Sequence, residues 1–371
     1  MLREKYLPGL HWFIRFCLIL LAAAVLWITV AFLIPKILPV STISNTSKYG
    51  IIFRNEKWEG EIKIIGDIWA LPGTTVAISP GTKISVIREG DVFNLDWLPW
   101  HLRRGQNTEK DWMGVKNGEF FWDERHKISM YFAKVFALGT KEQPIIVEAD
   151  KSCPETKVEF NVISVKSGII SSVKMSNYRK LSIGDKITVR DSQFRNIGEC
   201  AICVACSGPS IINNIFENAS REYILVKGGS PRISDNLFMA SEGKGIVIAP
   251  DVFGSPTIYH NNFEMPGKIA LEFLNGGEKR GAVVSFNDFA GGSTIKIPCD
   301  SKAKFIQNQI KGVIQLAHSG NCVGSLTLGP NYWQSLDRAA ILKEKIVDKE
   351  PQFEILLPSV LGSSPSGAGH R

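Results

Sequence analysis

Beyond residue 58 the apolar and polar positions alternate with period two in short runs, among them EIKIIGDI, TTVAIS, TKISVI, PIIVEA, KITVRDS, YILVKG, GIVIAP and STIKIP. β-Branched residues fill these runs, and Gly, Pro, Asn and Asp interrupt them, so they read as strands joined by turns. No amphipathic helical pattern comes between them, which excludes alternating β and α elements as the main plan. The N-terminus differs: Phe16 to Ile34 is 19 residues without a charge, apolar on every face.

The strand text also repeats. IINNIF (211–216), RISDNLF (232–238), YHNNF (259–263), SFNDF (285–289), IQNQI (306–310) and GPNYW (329–333) each carry Asn two places before a large apolar residue. The asparagines are Asn214, Asn236, Asn261, Asn287, Asn308 and Asn331, spaced by 22, 25, 26, 21 and 23 residues, and Ser192 with Phe194 extends the series one unit back. A period in the low twenties predicts a solenoid of three short strands per coil, with about eight to ten coils in all. Coils ~4.8 Å apart place like residues over like, so the inward Phe residues form a file and the Asn amides bond between coils. A leucine-rich repeat lacks support because its Leu signature is missing, and a propeller needs a period nearer ~40. The fold class is therefore all-β, a parallel β-helix.

The apolar run changes the organisation. As a helix with ~1.5 Å rise per residue it nearly matches a ~30 Å hydrocarbon core. Residues 1–40 carry Arg3, Lys5, Arg15 and Lys36 against Glu4 alone, so three of the seven net positive charges sit there. The cations lead the run, which predicts a single-pass anchor with a cytoplasmic N-terminus and an extracytoplasmic body. A cleaved signal peptide would have a shorter apolar run, ~7–15 residues, and a small-residue cleavage site. Residues 1–40 thus read as tip and transmembrane anchor, 41–57 as a linker, 58–355 as the solenoid and 356–371 as a C-terminal tail; FEILLPS (353–359) reads as part of a cap over the last coil and SSPSGAGHR (363–371) as disordered. The remaining charge is diluted over the body without a dense basic stripe, which argues against a nucleic-acid partner.

LPGTTVAISPGTKISV (71–86), followed by ALGTKEQPIIVEA (137–149), resembles the opening coils of bacterial right-handed β-helix repeat proteins of the pectate-lyase-like superfamily. GPNYWQSLDRAAILKEKIVDK (329–349) resembles their closing segment, an Asn-Tyr-Trp followed by a short helix. The resemblance covers roughly 58–355, implies right-handed coiling, and is nearly silent on activity. Against that pattern, about 40 residues near 90–130 stand as an insertion in an early coil. The helix at about 336–346, with Asp337 in its first turn and Lys343 and Lys345 in its last, reads as a cap over the final coil.

Candidate chemistry is sparse. The insertion holds Trp97, Trp100, Trp112 and Trp122 with Arg103 and Arg104, which suit a small local core, a sugar-stacking platform or a foot on the bilayer surface. Cys200, Cys203 and Cys206 form C-x2-C-x2-C, but strand alternation sends Cys203 to the face opposite the other two, so buried thiols are expected and no metal. Cys299 and Cys322 each lie nine residues before a repeat Asn and so occupy one place in successive coils, as a disulfide or as two stacked thiols. Pectate-lyase relatives use Asp-bound calcium with an Arg or Lys base, and polygalacturonase relatives carry N-T-D, paired Asp, G-H-G and R-I-K. None of those four strings occurs here; the nearest catalytic candidates are Asp191, Arg232, Asp235, His260 and Asp288, for which turn roles suffice in part. No cofactor is expected. The favoured reading is a membrane-tethered binding or structural module at the cell surface, towards polysaccharide or another envelope component, and not an enzyme; the alternative is a polysaccharide lyase or glycoside hydrolase on the same scaffold.

Overall fold

The computed structural model describes residues 14–26, 46–87, 115–116, 119–120, 126–130, 132–149, 158–249, 253–274, 281–299, 301–317, 324–348 and 353–369. Twenty-seven of the described strands hydrogen-bond into one continuous parallel ribbon that winds as a β-solenoid of about 9 turns. In the regular part each coil contributes three strands. Ser210–Ile212, Arg232–Ser234, Thr257–Tyr259, Val283–Ser285 and Lys304–Ile306 stack as the first sheet. Ile215–Ala219, Leu237–Met239, Asn262–Glu264, Asp288–Phe289 and Gln309–Ile310 form the second. Glu222–Val226, Lys244–Ile248, Ile269–Phe273, Thr294–Pro298 and Val313–Ala317 form the third.

The corner between the first and second sheets explains the repeat. At each of Asp191, Asn213, Asp235, His260, Phe286 and Gln307 the backbone adopts φ between 53° and 58°. This left-handed step turns the chain so that the next residue, usually the repeat Asn, points inward. The six asparagines are completely buried. Asn261 shows the arrangement: its Oδ1 accepts from the Asn236 backbone N–H at 3.0 Å and from Asn236 Nδ2 at 2.9 Å. Its own Nδ2 donates to Ile233 O at 3.0 Å and to Asn287 Oδ1 at 2.9 Å. The same contacts run from Asn214 to Asn331, and Ser192 N–H joins the upper end by donating to Asn214 Oδ1.

Two residues after each Asn, the inward apolar side chain stacks on its counterpart. Phe194, Phe216, Phe238, Phe263 and Phe289 are fully buried, with successive ring centroids 5.3, 4.9, 4.8 and 4.7 Å apart and planes within 15°. Ile310 and Trp333 continue this file to the end of the solenoid. The spacing is that of the coils, so the aromatic stack and the backbone ladder reinforce one register.

The ends differ from the sequence reading. The solenoid starts within the stretch read as linker: Ser47–Ile52 pairs in parallel with Glu61–Ala70, because YGII supplies four buried positions behind the polar STISNTS. At the other end the helix spans Arg338–Glu344, and Asp337 is its N-cap, accepting from Ala339 N at 2.8 Å. Up to Gly369 the tail runs along the body: Phe353–Leu356 pairs with Gly324–Thr327, Val360 bridges Asn331, and Gly369 N donates to Phe286 O at 2.9 Å. Residues 14–26 are helical and exposed; no helix among the described residues is long and apolar enough to cross a membrane, and 27–34 of the apolar run lie outside them.

Because Asn261 serves two coils, Asn261→Ala orphans buried groups on both sides. A loss of about 3 kcal/mol or more is expected from the midpoint of urea unfolding followed by circular dichroism, whereas Asn196→Gly, which keeps a left-handed corner near the surface, should cost about 1 kcal/mol.

Candidate functional site

The outer face of the first sheet alternates with its buried apolar rows. Thr188, Ser210, Arg232, Thr257, Val283 and Lys304 are register partners in one file, and Arg190, Ile212, Ser234, Tyr259, Ser285 and Ile306 form the next, in which Ser234 is completely buried. At the adjoining corner, the left-handed step that turns each Asn inward throws the residue before it outward. Two coils thereby place His260 and Phe286 beside Tyr259. The His260 ring stacks on Phe286 at 5.1 Å and meets Tyr259 edge-on at 5.4 Å, while the Arg232 guanidinium lies 4.9 Å from the Tyr259 ring centre. All three aromatic rings are partly exposed. His260 Nδ1 donates to the Gly367 carbonyl, so the tail borders this patch.

The third sheet carries a different chemistry. Glu159, Lys180, Glu199 and Glu222 are all at most 9% exposed. Arg179 bonds Glu159 through Nη1 and Glu199 through Nη2, the latter at 2.7 Å, and Lys180 Nζ stands 3.5 Å from Glu159. Further down, Glu272 is held between Lys244 and Lys296, the second at 3.3 Å. Burial lowers the Lys180 ammonium from its ordinary value, against the attraction of Glu159 and Glu199. Burial raises the Glu222 carboxyl, with Arg221 and Lys244 only partly opposing it. Two carboxylates and a base thus converge here, but inside the protein, as an ion network whose charges satisfy one another.

The five catalytic candidates from the sequence do not converge. Asp191, Asp235 and His260 are rungs of one corner, with Asp191 accepting from Asn213 Nδ2 at 2.6 Å. Successive rungs are ~4.8 Å apart, so Asp191 and Asp235 stand about two rungs from each other. Arg232 packs on Tyr259, and Asp288 belongs to the second sheet, bonded to Gln309 at 2.9 Å and to Lys311 at 3.0 Å. Trp97, Trp100, Trp112, Trp122, Arg103 and Arg104 lie outside the described residues, as does Cys322. Cys299 is disulfide-bonded.

The alternation argument for the cysteines fails at a bulge. Against the preceding strand, Lys180 pairs with Cys200 and Ser182 with Cys203, so three steps on one strand face two on the other. The extra residue returns Cys203 to the side of Cys200, and the two are joined as a disulfide. The sequence reading also passed over a second ladder at the next corner, where Asn218 donates to Asn196 and Asn196 to Asn177, at 2.8 and 2.9 Å. Its spacings of 22 and 19 residues are those of the coil and could have revealed it.

Two measurements follow from this geometry. A raised Glu222 means that the native state binds its proton more tightly than the unfolded chain, so stability falls as the pH rises from 4.5 through the raised value. Glu222→Gln should therefore raise the melting temperature at pH 7, and the gain should vanish on acidification below 4.5. Peptide mapping of unreduced protein should recover Cys299 joined to Cys322; two alkylatable thiols there would mean stacked cysteines instead.

No curated protein and no solved structure matches the chain. Residues 157–322 match the family model described as a right handed beta helix region. That match takes in the Asn file from Asn214 to Asn308 and the apolar file from Phe194 to Ile310. The match covers less than half of the chain; together with the parallel solenoid it supports a right-handed β-helix, a fold found in polysaccharide-binding and polysaccharide-active proteins.

Proposed function

We propose that the chain is a membrane-tethered, extracytoplasmic β-helix that binds an extended polysaccharide along its first sheet. The observation that carries this reading is the outward patch of Tyr259, His260 and Phe286 with Arg232, set beside the half-buried hydroxyls of Ser210, Thr257 and Ser285. Aromatic faces accept the apolar faces of sugar rings, hydroxyls and guanidinium groups exchange hydrogen bonds with sugar hydroxyls or carboxylates, and a rigid sheet meets a polymer with little ordering cost. Tethering rests on the charge-free run from Phe16 to Ile34 with its leading cations. A binding module agrees with the separation of the acidic candidates along the corner and with the enclosure of the Glu159–Arg179–Glu199 network.

A glycan array probed with the full chain, together with a depolymerisation assay on each glycan bound, tests the reading. Binding without turnover is expected, weakened about tenfold by Tyr259→Ala or Phe286→Ala, equivalent to about 1.4 kcal/mol. Binding indifferent to both substitutions would move the ligand to another face. Chain cleavage lost in Asp191→Ala would replace the module with an enzyme.

A further inference from the structure

The third sheet holds a donor set that polysaccharide binding does not use. Cys200, Cys203 and Glu199 each offer one ligand atom, and the three atoms lie within 4.8 Å of one another. Their residues are 0, 4 and 5% exposed. The bulge opposite Lys180 and Ser182 brings the two sulfurs to one side of the strand, with the Cα atoms 5.8 Å apart. Arg179 holds one oxygen of Glu199 at 2.7 Å and so fixes the carboxylate beside the sulfurs. Lys180 is the register partner of Cys200, and its ammonium stands 3.5 Å from Glu159 in the same ion network.

We propose that Cys200, Cys203 and Glu199 form a thiolate–carboxylate site for a borderline-soft divalent cation of the Zn2+ class, closed when the cysteines are joined and open when they are reduced. Two thiolates select such a cation over Ca2+ or Mg2+, which take oxygen ligands. A tetrahedral ion with Zn–S bonds of about 2.3 Å places its two sulfurs roughly 3.8 Å apart, so side-chain rotation suffices to pass from the bonded pair to the liganded one. Three protein ligands leave a fourth position for water. The charges balance: thiolates and Glu199 against the ion leave one negative charge, beside Arg179 and Lys180, with Glu159 completing the network. Reduction by dithiothreitol opens the pair to two thiols as the reagent closes to its cyclic disulfide, and metal binding then releases both thiol protons to solvent.

The full chain would be titrated with Zn2+, and with Co2+ as a spectroscopic probe, before and after reduction by dithiothreitol and removal of the reagent. Reduced protein should bind one equivalent with cobalt–thiolate charge-transfer absorption; oxidised protein should lack that signal. Cys203→Ser should abolish it, Glu199→Gln should weaken the affinity about tenfold or more, and Cys206→Ser should leave one equivalent bound. The comparison of reduced and oxidised wild type stands even if Cys203→Ser does not fold. A pair that resists reduction in the folded protein, reduced protein that binds no metal, or binding that survives Cys200→Ser and Cys203→Ser would overturn the site.

Discussion

The structure depends on one recurring contact, a buried side-chain amide that serves two coils at once. A backbone that turns sharply at a corner leaves N–H and C=O groups facing the interior, where water cannot reach them. Each repeat Asn supplies an acceptor to the coil before it and donors to carbonyls around it, so no rung is complete without its neighbour. This makes the register between coils a requirement instead of a preference. Once it is set, the Phe rings fall over one another, and the strands of all three sheets pair without individual specification.

Repetition is what made the fold legible from the sequence. The Asn and Phe positions recur at the length of a coil, and the residues between them alternate, so one unit predicts the next. Features that belong to a single coil were not legible. Cys203 reverses its face because of one extra residue, and an extra residue is visible only against a partner strand. Lys180 and Glu159 look in the sequence like ordinary outward charges of a wetted sheet; their burial is a property of packing, and alternation does not report packing. YGII was hidden by the polar residues before it, and the last residues by a composition of Ser, Gly and Pro that usually marks loose chain. The aromatic patch combines residues from two coils, each unremarkable alone.

The three faces consequently divide their chemistry. The first presents hydroxyls and rings to solvent, the second carries pairs such as Asp288 with Lys311, and the third closes over charges and sulfur. A solenoid allows this division because outward positions are independent of the inward files: a coil keeps its stacking residues while its outer residues vary. Turn lengths vary too, with Asn spacings of 21 to 26 residues accommodated outside the strands.

The course of residues 353–369 ties distant parts of the chain together. Gly367 reaches the His260 ring and Gly369 the Phe286 backbone, so the segment up to Gly369 folds back along the solenoid to the edge of the aromatic patch. A bulky substitution in this segment would therefore be felt at the rim of those rings, far along the chain from the coils that carry them.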